Sequence, residues 1–241
     1  RDLHPRVRRQ GQMCIRDSIK GAFIATLGIV LTKILGIIYV IPFHAVIGER
    51  GGALYGYAYT IYLLFMSLSS AGIPLAISKI VSEYQTLGYY NAKRRAFIIG
   101  KKIALLLGFI CFLLLLLFAP WIAHAVLGDL SGGNTISDVT LVIRVVASAL
   151  LFVPVLSIYR GYFEGHRFME DPSFSQVLEQ LVRVFVIVLG SFLALKVFDL
   201  SITTAVGIAV FGATAGAIAA YLYLIYKKNK NNSKFNEKIR P

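Results

Sequence analysis

Residues 97–119 read FIIGKKIALLLGFICFLLLLLFA, and beyond Lys102 no charge interrupts the run. About 20 apolar residues are the length needed to cross ~30 Å of hydrocarbon. Inside lipid there is no water to bond the backbone, so each N–H and C=O must be satisfied within the segment, which commits such a run to helix. Runs of this kind recur over about 20–41, 55–81, 97–119, 139–159, 176–198 and 202–226. The sequence therefore predicts an all-α polytopic membrane protein with six transmembrane helices. Composition agrees. Of 241 residues, 57% are hydrophobic and only 15% charged, against about a quarter charged in soluble domains. The formal net charge of +13 would suit nucleic acid, but the positive residues fall in short segments beside the apolar runs. They read as topology signals and as contacts to anionic lipids, not as a nucleic-acid surface.

The links between spans alternate in charge. The 80–102 link holds Lys93, Arg94, Arg95, Lys101 and Lys102; the 160–175 link holds Arg160 and Arg167; the tail holds Lys227, Lys228, Lys230, Lys234, Lys238 and Arg240. The alternate links, HAVIGERGGA (44–53), GDLSGGNTISD (128–138) and KVFDLS (196–201), are nearly free of surplus cations. Positive residues favour the cytoplasmic side. This predicts a multi-pass protein of the cell membrane with both termini cytoplasmic.

Several embedded residues need a reason. Lys33 stands about thirteen residues beyond Lys20, so ~20 Å along a helix, where a lysine costs ~2.5–3.5 kcal/mol or more. Three compensations are open: snorkelling, pairing with an acid on another helix, or facing a wet cavity and an anionic substrate. Glu179 and Arg183 are spaced to pair on one helix face, with Arg183 alternatively lining an inner vestibule. Arg144 lies one to two turns in from the outer face. Lys79 and Arg160 read as interface anchors. Embedded cations (Lys33, Arg144, Arg183) outnumber the embedded acid Glu179. A proton or sodium path would need buried carboxylates, whereas surplus positive charge suits an anion such as a lipid-borne pyrophosphate.

Small residues form ladders at Gly28, Thr32 and Gly36 and at Gly212, Gly216 and Ala220, which let helices approach closely in lipid. Gly72 and Pro74 in SSAGIPLAIS predict a kink in the second span, of the sort that lines cavities in transporters or is simply tolerated. Pro172 suits a helix start, with Asp171 as cap. Cys111 reads as a small hydrophobe. There is no phosphate-binding glycine loop, metal-ligand cluster, cofactor motif or Ser/His/Asp arrangement, and His44, His124 and His166 fall near interfaces. The sequence predicts a non-enzyme with no metal or cofactor.

The stretches TKILGIIYVIPF, GGALYGYAY, AGIPLAISKIVSEY, LLFVPVLSIYRGYFEGHRFM and SQVLEQLVRV together resemble the polysaccharide-export flippases of the multidrug/oligosaccharidyl-lipid/polysaccharide (MOP) superfamily. They are most similar to its MurJ-like lipid II flippases, of the YtgP type, with SpoVB a near relative. Val40 stands where relatives place an arginine before the Ile-Pro pair. The resemblance covers about 18–228 and implies a two-lobe fold with six helices per lobe. Residues 18–228 would then be the first lobe, 229–241 would begin the basic cytoplasmic link, and a C-terminal lobe would be missing. Residues 1–17, which include MCIRDS, read as a non-native assembly artefact. The implied function is translocation of a lipid-linked oligosaccharide pyrophosphate such as lipid II by alternating access, with Lys33 at the headgroup and Arg183 and Arg144 as further contacts. The alternatives are a multidrug or organic-cation antiporter of the same superfamily, and a non-transporting scaffold for cell-wall assembly.

Overall fold

The structure, a computed structural model, describes residues 5–70, 72–128 and 133–231, with the side chains of residues 5–20, Ala22 and Ser70 left out. Of the expected non-native segment, residues 1–4 and all side chains lie outside the described residues, as does the expected basic link beyond Asn231. Eight α-helices follow in order: α1 Pro5–Ile38, α2 Val40–Ser70, α3 Ile73–Leu87, α4 Tyr90–Leu127, α5 Ile136–Ala147, α6 Val153–Gly165, α7 Glu170–Phe185 and α8 Ile202–Lys230. A 3₁₀ turn, Ser148–Leu151, joins α5 to α6, and two π-helical turns, Val186–Gly190 and Leu193–Val197, extend α7. Among the described residues five helical runs are long and apolar enough to cross a membrane: Val40–Leu87, Tyr90–Leu127, Ile136–Gly165, Glu170–Val197 and Ile202–Lys230. The shorter apolar stretch Phe23–Ile38 in α1 makes a sixth.

The chain bends where the backbone permits it. Gly72 holds φ 72° directly before α3, a left-handed conformation that glycine adopts without penalty. Pro74 follows in the first turn of α3, where its missing N–H would be unpaired anyway. The helix of the second span is therefore interrupted between Ser70 and Ile73. The segment 44–53 departs from the expected loop. It is helical, and the only break is at Gly48, with φ 68° and ψ −174°. Asp171 also departs from its expected role. It caps nothing; α7 starts at Glu170 with no side-chain cap. Instead Asp171 accepts a hydrogen bond from Tyr223 at 3.1 Å and pairs with Lys227 at 3.1 Å.

Small residues set the packing. A Cβ on Gly28 would lie 3.0 Å from Ser173 Cβ and one on Gly36 would lie 3.6 Å from Gln180 Nε2, so α1 runs parallel to α7 along its glycine stripe. On α8, a Cβ at Gly212 would meet the Arg183 carbonyl at 3.0 Å and one at Gly216 the Glu179 carbonyl at 2.6 Å. Helices α7 and α8 thus touch backbone to backbone. Gly161 of α6 meets Pro74 of α3 in the same way. Leu150, Leu156, Ile158 and Phe163 are fully buried, so the α5–α6 run forms the centre of the bundle.

The two ends differ in charge. At one end Arg50 donates to Asn134 (3.1 Å) and pairs with Asp138 (3.4 Å), and Thr203 donates to Asp138 (2.7 Å). This ties together the three links that are poor in cations. Asp138 also completes a capping box with Thr135 at the start of α5. The other end carries the basic links. There the Lys93 ammonium, drawn inward, donates to Gln85 at 2.6 Å. His166 is half-buried beside it, its Nδ1 donating to the Tyr162 carbonyl at 2.7 Å. Burial, with a smaller contribution from Lys93, lowers its pKa from 6.5 to about 4.

Two predictions follow from this packing. Gly216→Val drives a side chain into the α7 backbone, an overpacking that costs ~1–3 kcal/mol. It should lower the thermal midpoint in detergent, whereas Gly207→Ala, which meets only Leu141 at 3.5 Å, should leave it unchanged. His166 is held neutral in the fold below its unfolded pKa. The unfolded chain therefore binds the extra proton first, and stability falls as pH drops from about 6.5 towards about 4. His166→Phe should flatten that part of the melting-temperature profile.

Candidate functional site

Helix α7 is the amphipathic helix of the bundle. Its polar face presents Ser175, Glu179 and Arg183 at helical spacing. Glu179 Oε1 accepts from Arg183 Nη2 at 2.6 Å, and Glu179 Oε2 accepts from Arg160 Nη2 of α6 at 2.7 Å. Arg160 Nε donates to Ser175 Oγ at 3.0 Å, and that hydroxyl donates to the Pro172 carbonyl. The side chains of Arg160, Glu179 and Arg183 are 16%, 13% and 13% exposed. Two guanidiniums share one carboxylate, so this nearly dry cluster keeps one surplus positive charge. Each arginine makes one charge-assisted hydrogen bond to its own carboxylate oxygen, and such bonds are roughly twice as strong as neutral ones.

Helix α2 brings an aromatic wall to the cluster. Tyr55, Tyr59 and Tyr62 lie on one helical face; Tyr55 and Tyr59 stack at 5.7 Å, and Phe43 meets Tyr55 edge-on at 4.9 Å. The three tyrosines are within electrostatic reach of Arg183. Two buried polar atoms here have no hydrogen-bond partner among the described residues, Arg183 Nε and Tyr62 Oη. Each unmet buried group costs ~1–3 kcal/mol, and such costs concentrate where a polar group has work to do.

Of the residues singled out in the sequence, Arg183 sits inside this cluster. Lys33 does not touch it. Lys33 is exposed on α1, among exposed Ile29, Val30, Ile34 and Ile37, and makes no ion pair or hydrogen bond among the described residues. The register of Gly28 on Ser173 and Gly36 on Gln180 sets Lys33 at nearly the depth of Glu179. Arg144 is exposed in the last turn of α5 and makes no ion pair or hydrogen bond among the described residues. Arg160 corrects the sequence reading: it is not an interface anchor but turns inward to Glu179. The sequence held only a general hint, one embedded acid among several cations, and nothing that pointed to Arg160.

The described residues contain no cluster of His, Cys, Asp and Glu able to hold a metal. The arrangement can hold and orient an anion by charge and hydrogen bonding. It has no nucleophile paired with a base.

Helices of spanning length, small-residue packing and an internal cationic cluster define one lobe of a helical membrane transporter fold. The chain superposes on a multidrug resistance MATE family transporter of the MOP superfamily in its inward-facing conformation with a TM-score of 0.70, covering 86% of this chain and 47% of that one at 17% identity. The chain belongs to the Polysaccharide biosynthesis protein family, whose profile matches residues 18–241. It is 42% identical over 217 residues to the lipid II flippase MurJ of Bacillus subtilis, covering 89% of this chain and 40% of that protein. It is 31% identical over 220 residues to stage V sporulation protein B of the same organism, covering 90% of this chain and 40% of that protein. The chain thus spans less than half the length of the relatives it matches.

The cluster makes a testable claim about stability. Glu179→Gln leaves two buried guanidiniums uncompensated and should cost ~3–5 kcal/mol, read as a lowered thermal midpoint. Glu179→Met combined with Arg160→Met and Arg183→Met should recover most of that loss, because removing a whole buried ionic group is far milder than breaking it.

Proposed function

We propose that the chain is the first lobe of a flippase that moves a lipid-linked cell-wall glycan precursor, such as lipid II, across the bacterial cytoplasmic membrane. The observation that carries this reading is the 42% identity to the lipid II flippase MurJ. The charge pattern supports it. The cargo class is a pyrophosphate on a lipid tail, and the lobe offers cations in excess: Lys33, with no ion pair or hydrogen bond among the described residues, and a buried pair of arginines sharing one acid. On this reading Lys33 engages the pyrophosphate, Arg183 and Arg144 set the field at the inner and outer parts of the path, and a second lobe covers the exposed face of α1. The lobes then alternate between inward-open and outward-open states without covalent chemistry. The break at Gly72 and Pro74 and the stripe at Gly36 supply the give. The basic end of the bundle faces the cytoplasm, by the bias of Lys and Arg towards that side.

A second reading, an organic-cation antiporter, draws on the likeness to the multidrug transporter, which bears on fold alone. Such a site would need a carboxylate deep in α1 or α2, and these helices carry only Asp17, before the apolar part of α1, and Glu49, beside the break at Gly48. A non-transporting scaffold would need extramembrane surface, and the described links are short.

The test uses the full-length gene product in vesicles with a fluorescent lipid-linked pyrophosphate. Lys33→Ala should cut the flipping rate at least tenfold with an unchanged thermal midpoint, and Lys33→Arg should restore much of it. Flipping at the wild-type rate by Lys33→Ala would remove Lys33 from the path. Gradient-driven uptake of a cationic dye, with no flipping, would replace the flippase by the antiporter.

A further inference from the structure

A groove of about 370 Å³ opens at the basic end, away from the Glu179 cluster. Its walls come from three helices. Ile98, Lys101, Lys102 and Leu105 belong to α4, Val155 to α6, and Tyr221 to α8; Leu151 and Phe152 at the α5–α6 junction close its inner end. At Gly108, α4 approaches so closely that a Cβ would strike the Leu150 carbonyl. Nearer the basic end its buried side still packs closely, Gly100 on Ile77 and Phe97 on Tyr159, and the groove lies beside that contact, along Ile98, Lys101, Lys102 and Leu105.

Its chemistry is that of an amphiphile site. The walls are apolar, and its cations gather on one side. Lys101 Nζ stands 5.5 Å from the Phe97 ring centroid and 5.8 Å from that of Tyr159; Lys228 Nζ stands over the same two rings at 4.3 and 5.7 Å. Lys228 is also within electrostatic reach of Arg94. Lys101, Lys102, Lys228 and Arg94 have no carboxylate partner among the described residues. Crowding like charges without an acid is unfavourable, the attraction of the aromatic faces offsets it only in part, and a bound anion relieves it. The groove opens onto the outer face of α4, where Ile99, Leu106, Phe109 and Leu117 are all exposed and apolar enough to lie against acyl chains. The anion within reach of that face is a lipid headgroup, and basic pockets between membrane helices are known headgroup sites.

The geometry points to a seat for one anionic phospholipid of the surrounding leaflet. Its phosphate lies among Lys101, Lys102 and Lys228, and an acyl chain lies along Leu105, Leu151, Phe152 and Val155. The site is independent of the proposed cargo path, since none of Lys33, Glu179 and Arg183 lines it. The bound lipid bridges α4, α6 and α8, the helices whose side chains wall the groove.

The experiment incorporates the full chain into nanodiscs of phosphatidylcholine mixed with phosphatidylglycerol, extracts it gently and counts retained lipids by native mass spectrometry. The wild type should retain phosphatidylglycerol over phosphatidylcholine by about tenfold. The triple variant Lys101→Gln, Lys102→Gln, Lys228→Gln should lose that preference, and the triple Lys→Arg variant should keep it. Leu105→Trp, at an exposed position that leaves the fold intact, should fill the groove and reduce retention with all charges present. Lys230→Gln, over Tyr226 at another place, should change nothing. Undiminished preference in the triple glutamine variant, or unchanged retention in Leu105→Trp, overturns the site. So does displacement of the lipid by glycerol phosphate as effectively as by phosphatidylglycerol, since that would make the cations a simple phosphate site in which the groove plays no part.

Discussion

The Glu179 carboxylate is the interaction on which the charged interior depends. It takes one oxygen to Arg183 on its own helix and the other to Arg160 on α6. Either guanidinium alone in an apolar bundle would carry a desolvation cost of several kcal/mol. Together, around one acid and with Ser175 satisfying Arg160 Nε, they are tolerated. Helix packing makes this possible. Because Gly212 and Gly216 bring α8 onto the α7 backbone at Arg183 and Glu179, another side of α7 is free to direct Ser175 and Glu179 at Arg160 of α6 and Arg183 towards the tyrosines of α2. The cluster also locks α6 to α7, in a medium where apolar side chains alone give little drive for helix association.

Much of this architecture is legible in the chain itself. Apolar length and the rule that backbone must be satisfied in lipid are enough to mark the helices. A glycine beside a proline marks the break at Gly72, because both residues act on the local backbone. The i,i+4 spacing is enough to pair Glu179 with Arg183 for the same reason. What escaped is long-range. That Arg160 turns inward depends on how α6 rotates against α7, and no periodicity within α6 encodes that. The segment 44–53 looked like a loop from its three glycines and its charges. In the structure only Gly48 departs from helix, while Gly51 and Gly52 stay helical, packed on Ile47 and His44. Asp171 had the right residue type for a cap but is held by Tyr223 and Lys227, partners more than fifty residues away in the chain.

The cations sort into three populations with different physical logic. Arg160 and Arg183 are compensated inside the bundle. Lys101 and Lys228 sit at one end against aromatic rings, with Lys102 beside them on the groove. Lys33 belongs to neither. It is one to two turns from the end of α1 at Ile38 and at nearly the depth of Glu179, yet no acid among the described residues pairs with it. Burial cannot be the reason that α1 tolerates it, because it is exposed.

The packing of α1 narrows what can face that lysine. The stripe through Gly28 and Gly36 lies on α7, and Phe23, Leu27, Ile29, Leu31, Lys33 and Ile37 are exposed. Along Phe23, Leu27, Leu31 and Ile38 acyl chains serve as well as protein. Around Lys33 they do not, since an ammonium against hydrocarbon costs ~2.5–3.5 kcal/mol at least, a large share of a stability of 5–15 kcal/mol. The cost falls away if this side of α1 lines water and meets a phosphate. On the proposed reading, the glycine stripe fixes which face of α1 is given to α7, and the lysine fixes which of the remaining faces is given to the cargo.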